Sequence, residues 1–353
     1  MSAQQNQKLK SIFNFKRVVI PILIGFGFSA YSIWVNEFNF SLLRGIEVSL
    51  FFVVLAFFFM FLRDLMYIWR LQILTGHYMS WKSTFQVIML WEFASAASPS
   101  VVGGSPFAIF FLKAEGFTLG KSTAIVMTAS FLDELFYILA VAVILIVSGN
   151  SILQVNGNLG FDLSFFFYIG YGVLILFTTI ILIAIFVIPR GFKKLLITIF
   201  SIRFLRKWRN DAAQTGEDII LTSKELKGKS FRYWLLAFTA TSFSWTARYL
   251  VLNCLIVAIN PLEDFTWTEQ VSIFAKQLIM WVILLISPTP GASGVAEISF
   301  PAFFGEFIPL NLQGATALAW RMISYYPYLL IGLFVLPIWL RKLEKRRNKN
   351  LTS

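Results

Sequence analysis

The chain has 353 residues, of which 58% are hydrophobic and only 14% charged, against about a quarter charged in soluble domains, so a sizeable water-soluble domain is excluded. One cysteine and one histidine, Cys254 and His77, exclude an internal disulfide and leave Cys- or His-based metal centres and His-based catalytic triads without parts. The formal charge of +12 invites nucleic acid as a partner, but its distribution along the chain assigns it to membrane topology.

Met1–Arg17 is polar, with Lys8, Lys10, Lys16 and Arg17 just ahead of the first apolar run, Val18–Trp34. That run is flanked like a signal peptide but lacks a small-residue cleavage site, and further spans follow, so a retained first helix is expected. Glu47–Trp69 is a second, Phe-rich span closing with Arg63, Asp64 and Arg70. Trp81–Ser98 is a third apolar segment, carries Glu92, and runs into Ser98–Pro99–Ser100–Val101–Val102–Gly103–Gly104–Ser105–Pro106. Proline removes an amide donor and glycine loosens the backbone. In hydrocarbon such a break is tolerated only where protein or a water-filled cavity surrounds it. The arm that follows, Pro106–Leu112, rises only about 10 Å as helix against a core of about 30 Å. The chain therefore turns inside the membrane and leaves on the side it entered, with Ser105 expected as helix cap and Pro106 in the first turn.

Ser122–Val147 is a full span carrying Asp133 and Glu134, and Leu163–Ile188 is another. Pro189–Ser230 is the longest polar section. Its first half sets Phe192, Leu195, Leu196 and Ile199 on one face against Lys193, Lys194, Arg203, Arg206 and Lys207, the pattern of an amphipathic helix lying on a membrane. Phe231–Ile259 is a full span carrying Arg248. Gln270–Ile286, with Lys276 inside it, leads into a second break, Ser287–Pro288–Thr289–Pro290–Gly291–Ala292–Ser293–Gly294–Val295–Ala296–Glu297. A short arm, Val295–Phe307, is interrupted by Pro301. Leu312–Leu340 is the last span, with Arg321 well inside it, and a basic tail follows.

Of the 30 Lys and Arg residues, 26 lie in five segments: Met1–Arg17, Arg63–Lys82, Lys113–Lys121, Arg190–Arg232 and Arg341–Lys349. The positive-inside rule places all five in the cytoplasm if the first hairpin enters from the cytoplasm and the second from outside. The expected architecture is all-α: a polytopic integral membrane protein of one domain, with about six full spans, two re-entrant broken-helix hairpins and both termini cytoplasmic. Its parts are a first half-repeat at 47–147, a cytoplasmic amphipathic linker at 189–230, a second half-repeat at 231–340 and a basic tail at 341–353. The halves share an order of parts, Ser98–Pro99 matching Ser287–Pro288 and Leu119–Gly120 matching Gln313–Gly314, in opposite orientations. Paired broken helices in inverted halves point to a midplane binding site.

The residues expected around such a site are Ser98, Pro99, Gly103, Gly104, Ser105 and Asp133 in the first half, and Pro288, Pro290, Gly291, Gly294, Glu297 and Arg321 in the second. Glu297 suits a cationic group or a proton, or equally the first turn of a half-helix or a pairing with Arg321. Arg321 suits a phosphate, or neutralises Glu297 or Asp133. Asp133 and Glu134 are adjacent on a helix, so at most one is expected to face the site. Glu92 and Lys276 hold comparable places and read as a charge pair between the hairpins or as part of a pathway; Arg248, beside Trp245 and Tyr249, reads as an aromatic-packed structural arginine. No nucleophile-and-base set can be assembled, and neither catalysis, a metal nor a cofactor is expected. Membrane lipid is the expected partner.

Ser98–Pro99–Ser100, Gly103–Gly104 and Lys113–Ala114–Glu115–Gly116, then Pro288–Thr289–Pro290–Gly291, Gly294 and Glu297, and finally Trp320–Arg321, resemble the signatures of the lysylphosphatidylglycerol synthase transmembrane family. Arg63 and Trp69–Arg70 fit as well, and the resemblance runs from Glu47 to the last span. It implies a flippase-like membrane domain. In fused members such a domain moves an aminoacylated phospholipid made by a separate soluble domain; none follows the last span in this sequence, so aminoacyl transfer is not expected. Ser105 and Ala108 stand where many members carry an acidic residue and an arginine, and Ala129–Ser130 where a Glu-Arg pair is frequent, which argues against a lysyl-lipid cargo. The leading expectation is a cytoplasmic-membrane flippase-like protein translocating or binding an amphiphilic anionic lipid, most closely engaged by the second hairpin. The alternatives are an accessory subunit or enzyme of lipid-linked sugar assembly, or a scaffold without turnover.

Overall fold

The computed structural model describes residues 48–98, 103–149, 163–260, 265–285 and 287–352, together with Leu23, Gly27, Ala30 and Tyr31. The expected first span, Val18–Trp34, lies outside the described residues but for those four, and so does Pro99. Among the described residues every regular element is helical. In chain order these are α1 (Leu50–Leu74), α2 (Trp81–Ala97), α3 (Ser105–Ala114), α4 (Leu119–Ser148), α5 (Leu163–Leu182), α6 (Pro189–Ile199), α7 (Arg209–Lys227), α8 (Phe231–Ile259), α9 (Trp267–Leu285), α10 (Val295–Phe304), α11 (Gln313–Ser324) and α12 (Tyr326–Thr352). Five stretches are long and apolar enough to cross a bilayer: α1, α4, α5 with its continuation to Val187, α8, and α11–α12 taken together. The protein is an all-α, multi-pass membrane protein.

Helix α1 shows how the sequence divides lipid from interior. Leu50, Val54, Phe57, Phe61 and Leu65 recur at helical spacing and are exposed, a stripe suited to lipid. Arg63, Tyr67, Arg70 and Leu74 recur at the same spacing on another face and are buried. The span therefore ends at Leu74 rather than Trp69, and Arg63 and Arg70 are interior groups, not members of a cytoplasmic basic segment as the charge pattern suggested. The face that covers them belongs to α8, whose small buried residues Ala237, Ala240, Ser244 and Ala247 let the backbones approach; Ser244 Oγ donates to the Arg63 carbonyl at 2.9 Å.

Both breaks form as expected. Ser98 caps α2 in extended conformation (φ −109°, ψ 156°), as a residue preceding proline should, and its hydroxyl lies within reach of the Ala94 and Gly103 carbonyls at 2.6 and 3.0 Å. The second arms α3 and α10 are each ten residues, about 15 Å of rise, too short to cross. The helices after them begin at Leu119 and Gln313, the paired landmarks of the repeat. Two details differ. Gly104, not Ser105, occupies the cap position of α3. The last span is two helices, broken at Tyr325 (φ −134°, ψ −59°). Pro327 fits the second: it has no amide to donate back to the carbonyl of Ile323 in the preceding helix, and it suits the opening turn of α12.

The polar section holds α6, amphipathic and without a buried residue, and α7, which the apolar pattern did not reveal. Helix α7 docks on the start of α4. The Gly120 amide donates to Asp218 Oδ2 at 3.4 Å, and Lys121 Nζ reaches Glu225 Oε2 at 3.3 Å. Burial pulls the Glu225 carboxyl upward, but Lys121 and Lys229 outweigh it and hold it below the usual carboxylate range. A Cβ at Gly120 would come within 2.0 Å of Asp218 Cβ and 2.8 Å of the Thr215 carbonyl. Gly120→Val is therefore expected to lift α7 from α4 and open the 200–230 segment to limited proteolysis. Gly172→Ala, where an added Cβ meets nothing within 4 Å, should leave the digestion pattern unchanged.

Candidate functional site

The hairpin tips meet. The Gly291 amide donates to the Ser98 carbonyl at 3.2 Å, joining the second break to the first. Tyr325, at the break of the last span, holds both. Its hydroxyl lies 2.9 Å from the Ala96 carbonyl and 3.3 Å from that of Pro290, and accepts from Ser293 Oγ at 3.3 Å. Close approach of the ring is possible because residue 291 is glycine: a Cβ there would lie 2.1 Å from Tyr325 Cε2. The tip is strained as well. Gly291 and Ala292 both have φ of +54°, a conformation that costs a non-glycine residue about 1–3 kcal/mol and persists where surrounding structure enforces it.

What enforces it is Arg321. Its Nε donates to Glu297 Oε1 at 2.9 Å. Its Nη2 reaches the Gly291 carbonyl and Ser293 Oγ, each at 3.1 Å, and its guanidinium lies 3.7 Å from the Tyr325 ring centroid. The other Glu297 oxygen accepts the Gly294 amide at 2.6 Å, capping α10. Glu297 is 3% exposed and Arg321 5%. Of the readings left open by the sequence, two are realised together: Glu297 sits in the first turn of α10 and pairs with Arg321, which shapes the tip.

Beside the tips lies a cavity of about 340 Å³. Its wall includes Gly103, Gly104, Ser105, Glu92, Asp133, Gly291, Arg248 and one side of Arg321, so the structure brings these expected residues together. Ser98, Pro288, Pro290, Gly294, Glu297 and Lys276 are not part of the wall; Pro288 is exposed. The Glu92–Lys276 pair does not form. Glu92 Oε2 is 2.7 Å from Arg63 Nη2, and Lys276 Nζ is 2.5 Å from Glu306 Oε1 within the second hairpin. Both Asp133 and Glu134 line the cavity, against the expectation of one. Neighbouring residues on a helix diverge by only about 100°, and this cavity is broad enough to meet both.

Most of the cavity's charges are satisfied within the protein. Arg63 donates to Asp64 Oδ1 at 2.7 Å and to the Tyr328 hydroxyl at 2.8 Å, and Tyr328 donates to Asp64 at 2.7 Å. Arg70 pairs with Asp133 and donates to Thr241 Oγ1 at 3.2 Å, and Trp245 Nε1 donates to Asp133 at 2.6 Å. Arg248 differs. Its guanidinium lies 5.7 Å from the Trp245 ring centroid, the aromatic packing expected of it, but among the described residues it forms no ion pair or hydrogen bond. Arg63, Arg70 and Tyr325 carry the centre of the molecule without having been singled out as site residues; helical spacing of Arg63, Tyr67 and Arg70, and the Tyr-Tyr-Pro run at 325–327, are the signals that point to them.

Breaking a buried ion pair from one side leaves an uncompensated charge and costs about 3–5 kcal/mol. Arg321→Ala and Glu297→Gln are each expected to lower the unfolding midpoint of the detergent-solubilised protein sharply. The combination of Glu297→Gln with Arg321→Ala should lose less than the two single effects added together; thermal melts of the wild type, the two single variants and the double read this directly.

The family model described as lysylphosphatidylglycerol synthase TM region matches residues 18–332. The chain is also similar to a UPF0104 membrane protein of Archaeoglobus fulgidus, at 26% identity over 284 residues, covering 75% of this chain and 80% of that one. With the broken hairpins, the Glu297–Arg321 pair and most of its length accounted for, the chain belongs to the lysylphosphatidylglycerol synthase transmembrane-region family.

Proposed function

We propose that the protein takes the phosphate-bearing headgroup of a membrane lipid into the cavity beside the hairpin tips and carries it between leaflets, releasing it chemically unchanged. The observation that supports this reading is Arg248. Arg248 is half-buried at the cavity wall, no side chain among the described residues is bonded to it, and its planar fork matches two phosphate oxygens. The remaining cations of the wall have carboxylate partners already, so an incoming anion would meet Arg248 first. A volume of about 340 Å³ suits a headgroup and not its acyl chains. Met280, Leu284 and Leu285 give the wall an apolar flank along which those chains would remain in lipid.

The inverted order of the two hairpins supports alternating access, with the tips at midplane. Even without Arg63 and Arg70, the basic residues concentrate in the segments that this topology places in the cytoplasm. That fits a cytoplasmic membrane with both termini inside, and α6 lying on its anionic surface.

In proteoliposomes loaded with fluorescent phospholipid on one leaflet, the protein is expected to accelerate exchange over empty vesicles. Arg248→Gln should slow it about tenfold, the worth of one charge-assisted contact, with little change in melting temperature. Exchange no faster than in empty vesicles across several phosphate headgroups would sink the reading. A second reading, a role in assembling lipid-linked sugars, is favoured by four tryptophans on the wall, Trp91, Trp245, Trp281 and Trp320, whose faces suit sugar rings. Product formed from a polyprenyl-phosphate substrate would support that one instead.

A further inference from the structure

Arg248 has a counterpart of opposite sign. Glu134, on the same cavity wall, forms no ion pair or side-chain hydrogen bond among the described residues, and its Oε2 is fully buried without a partner. The two groups do not neutralise one another: no contact between them falls within salt-bridge distance, although α4 and α8 pack together. Arg63 and Glu92 share the cavity wall with Arg248, and Asp133 shares it with Glu134, its neighbour on α4. Arg63 and Asp133 are themselves held by partners and have no reason to move. The cavity wall thus carries one guanidinium and one carboxyl group without an ion pair or side-chain hydrogen bond among the described residues.

An occupant carrying only an anion would meet Arg248 and leave the buried Glu134 Oε2 without a partner, whereas an ammonium beside it would supply hydrogen bonds and favour the carboxylate form. An occupant with a second cationic group would find one free carboxylate for two charges. We propose that Glu134 is a cation subsite, and that the headgroup this cavity selects bears one phosphate and one ammonium, with no net charge. This deepens the reading of the preceding section and rests on it for the phosphate at Arg248. Glu134 then acts as the specificity-determining residue. It accepts hydrogen bonds from the ammonium while Asp133, bound to Arg70 and Trp245, supplies field at close range without changing partners.

The test is a binding titration on the purified full-length protein, followed by tryptophan fluorescence, since four tryptophans line the cavity. The probes are dihexanoyl phosphatidylethanolamine, with phosphate and ammonium, and dihexanoyl phosphatidylglycerol, with phosphate alone. The wild type is expected to bind the first about tenfold more tightly, the effect of one charge-assisted hydrogen bond. Glu134→Gln should abolish that preference by weakening the ethanolamine lipid and sparing the glycerol lipid, whereas Arg248→Gln should weaken both. Equal binding by the wild type, or a preference that survives Glu134→Gln, would overturn the cation subsite while leaving a phosphate site at Arg248. Failure of the wild type to bind either lipid would overturn both. The wild-type comparison decides the matter even if a variant does not fold.

Discussion

The centre of this protein depends on one buried ion pair. Hairpin tips in a membrane interior need their backbone groups satisfied by protein, and the second tip is built from a sequence that cannot do this alone: two prolines without amide donors, and two consecutive residues at positive φ. Arg321 resolves the difficulty from outside the hairpin. One guanidinium binds the carboxylate that caps α10, a carbonyl at the tip and a serine hydroxyl beside it. Glu297 in turn spends both oxygens, one on Arg321 and one on the Gly294 amide. Nε and Nη2 of Arg321 and both oxygens of Glu297 are thus engaged within the protein.

The cavity's other charged groups are arranged by the first half of the chain against α8. Arg63 and Arg70 rise from the interior stripe of α1, Asp133 and Glu134 from α4, and Arg248 from α8. Arg63 draws Glu92 and Asp64 to itself; Arg70 draws Asp133. The residues that remain unanswered are those whose neighbours are already engaged. Arg248 and Glu134 are half-buried at the cavity wall and are tied to no side chain among the described residues, which sets them apart from the paired charges around them.

Much of the architecture was legible because hydropathy and helix-breaking residues act locally. The limits of α8 were read to the residue, Phe231–Ile259, and both breaks fell where proline and glycine put them. The site was less legible because charge pairing is not local. Glu92 and Lys276 hold comparable places in the two halves, yet their partners are Arg63 and Glu306, chosen by helix packing that a repeat pattern does not encode. Helix α7 escaped notice for another reason. It is polar around most of its circumference, and its docking depends on Gly120 and Asp218 rather than on an apolar stripe. Tyr325 was hidden inside a run that reads as one continuous span, although Pro327 marks the interruption.

The single hydroxyl of Tyr325 sets a limit on how the molecule can move. It bridges the Ala96 and Pro290 carbonyls, one on each hairpin, and its ring is clasped by Arg321. Sliding one tip past the other would strand two carbonyls and a tyrosine hydroxyl in a dry interior. The two tips and the kink of the last span consequently behave as one body, a keystone with three chain segments locked into it. On the transport reading, displacement that opens the cavity would come from α1, α4 and α8 shifting around that keystone, with the wall carrying Arg248 and Glu134 as the moving part and the broken helices as its fixed point.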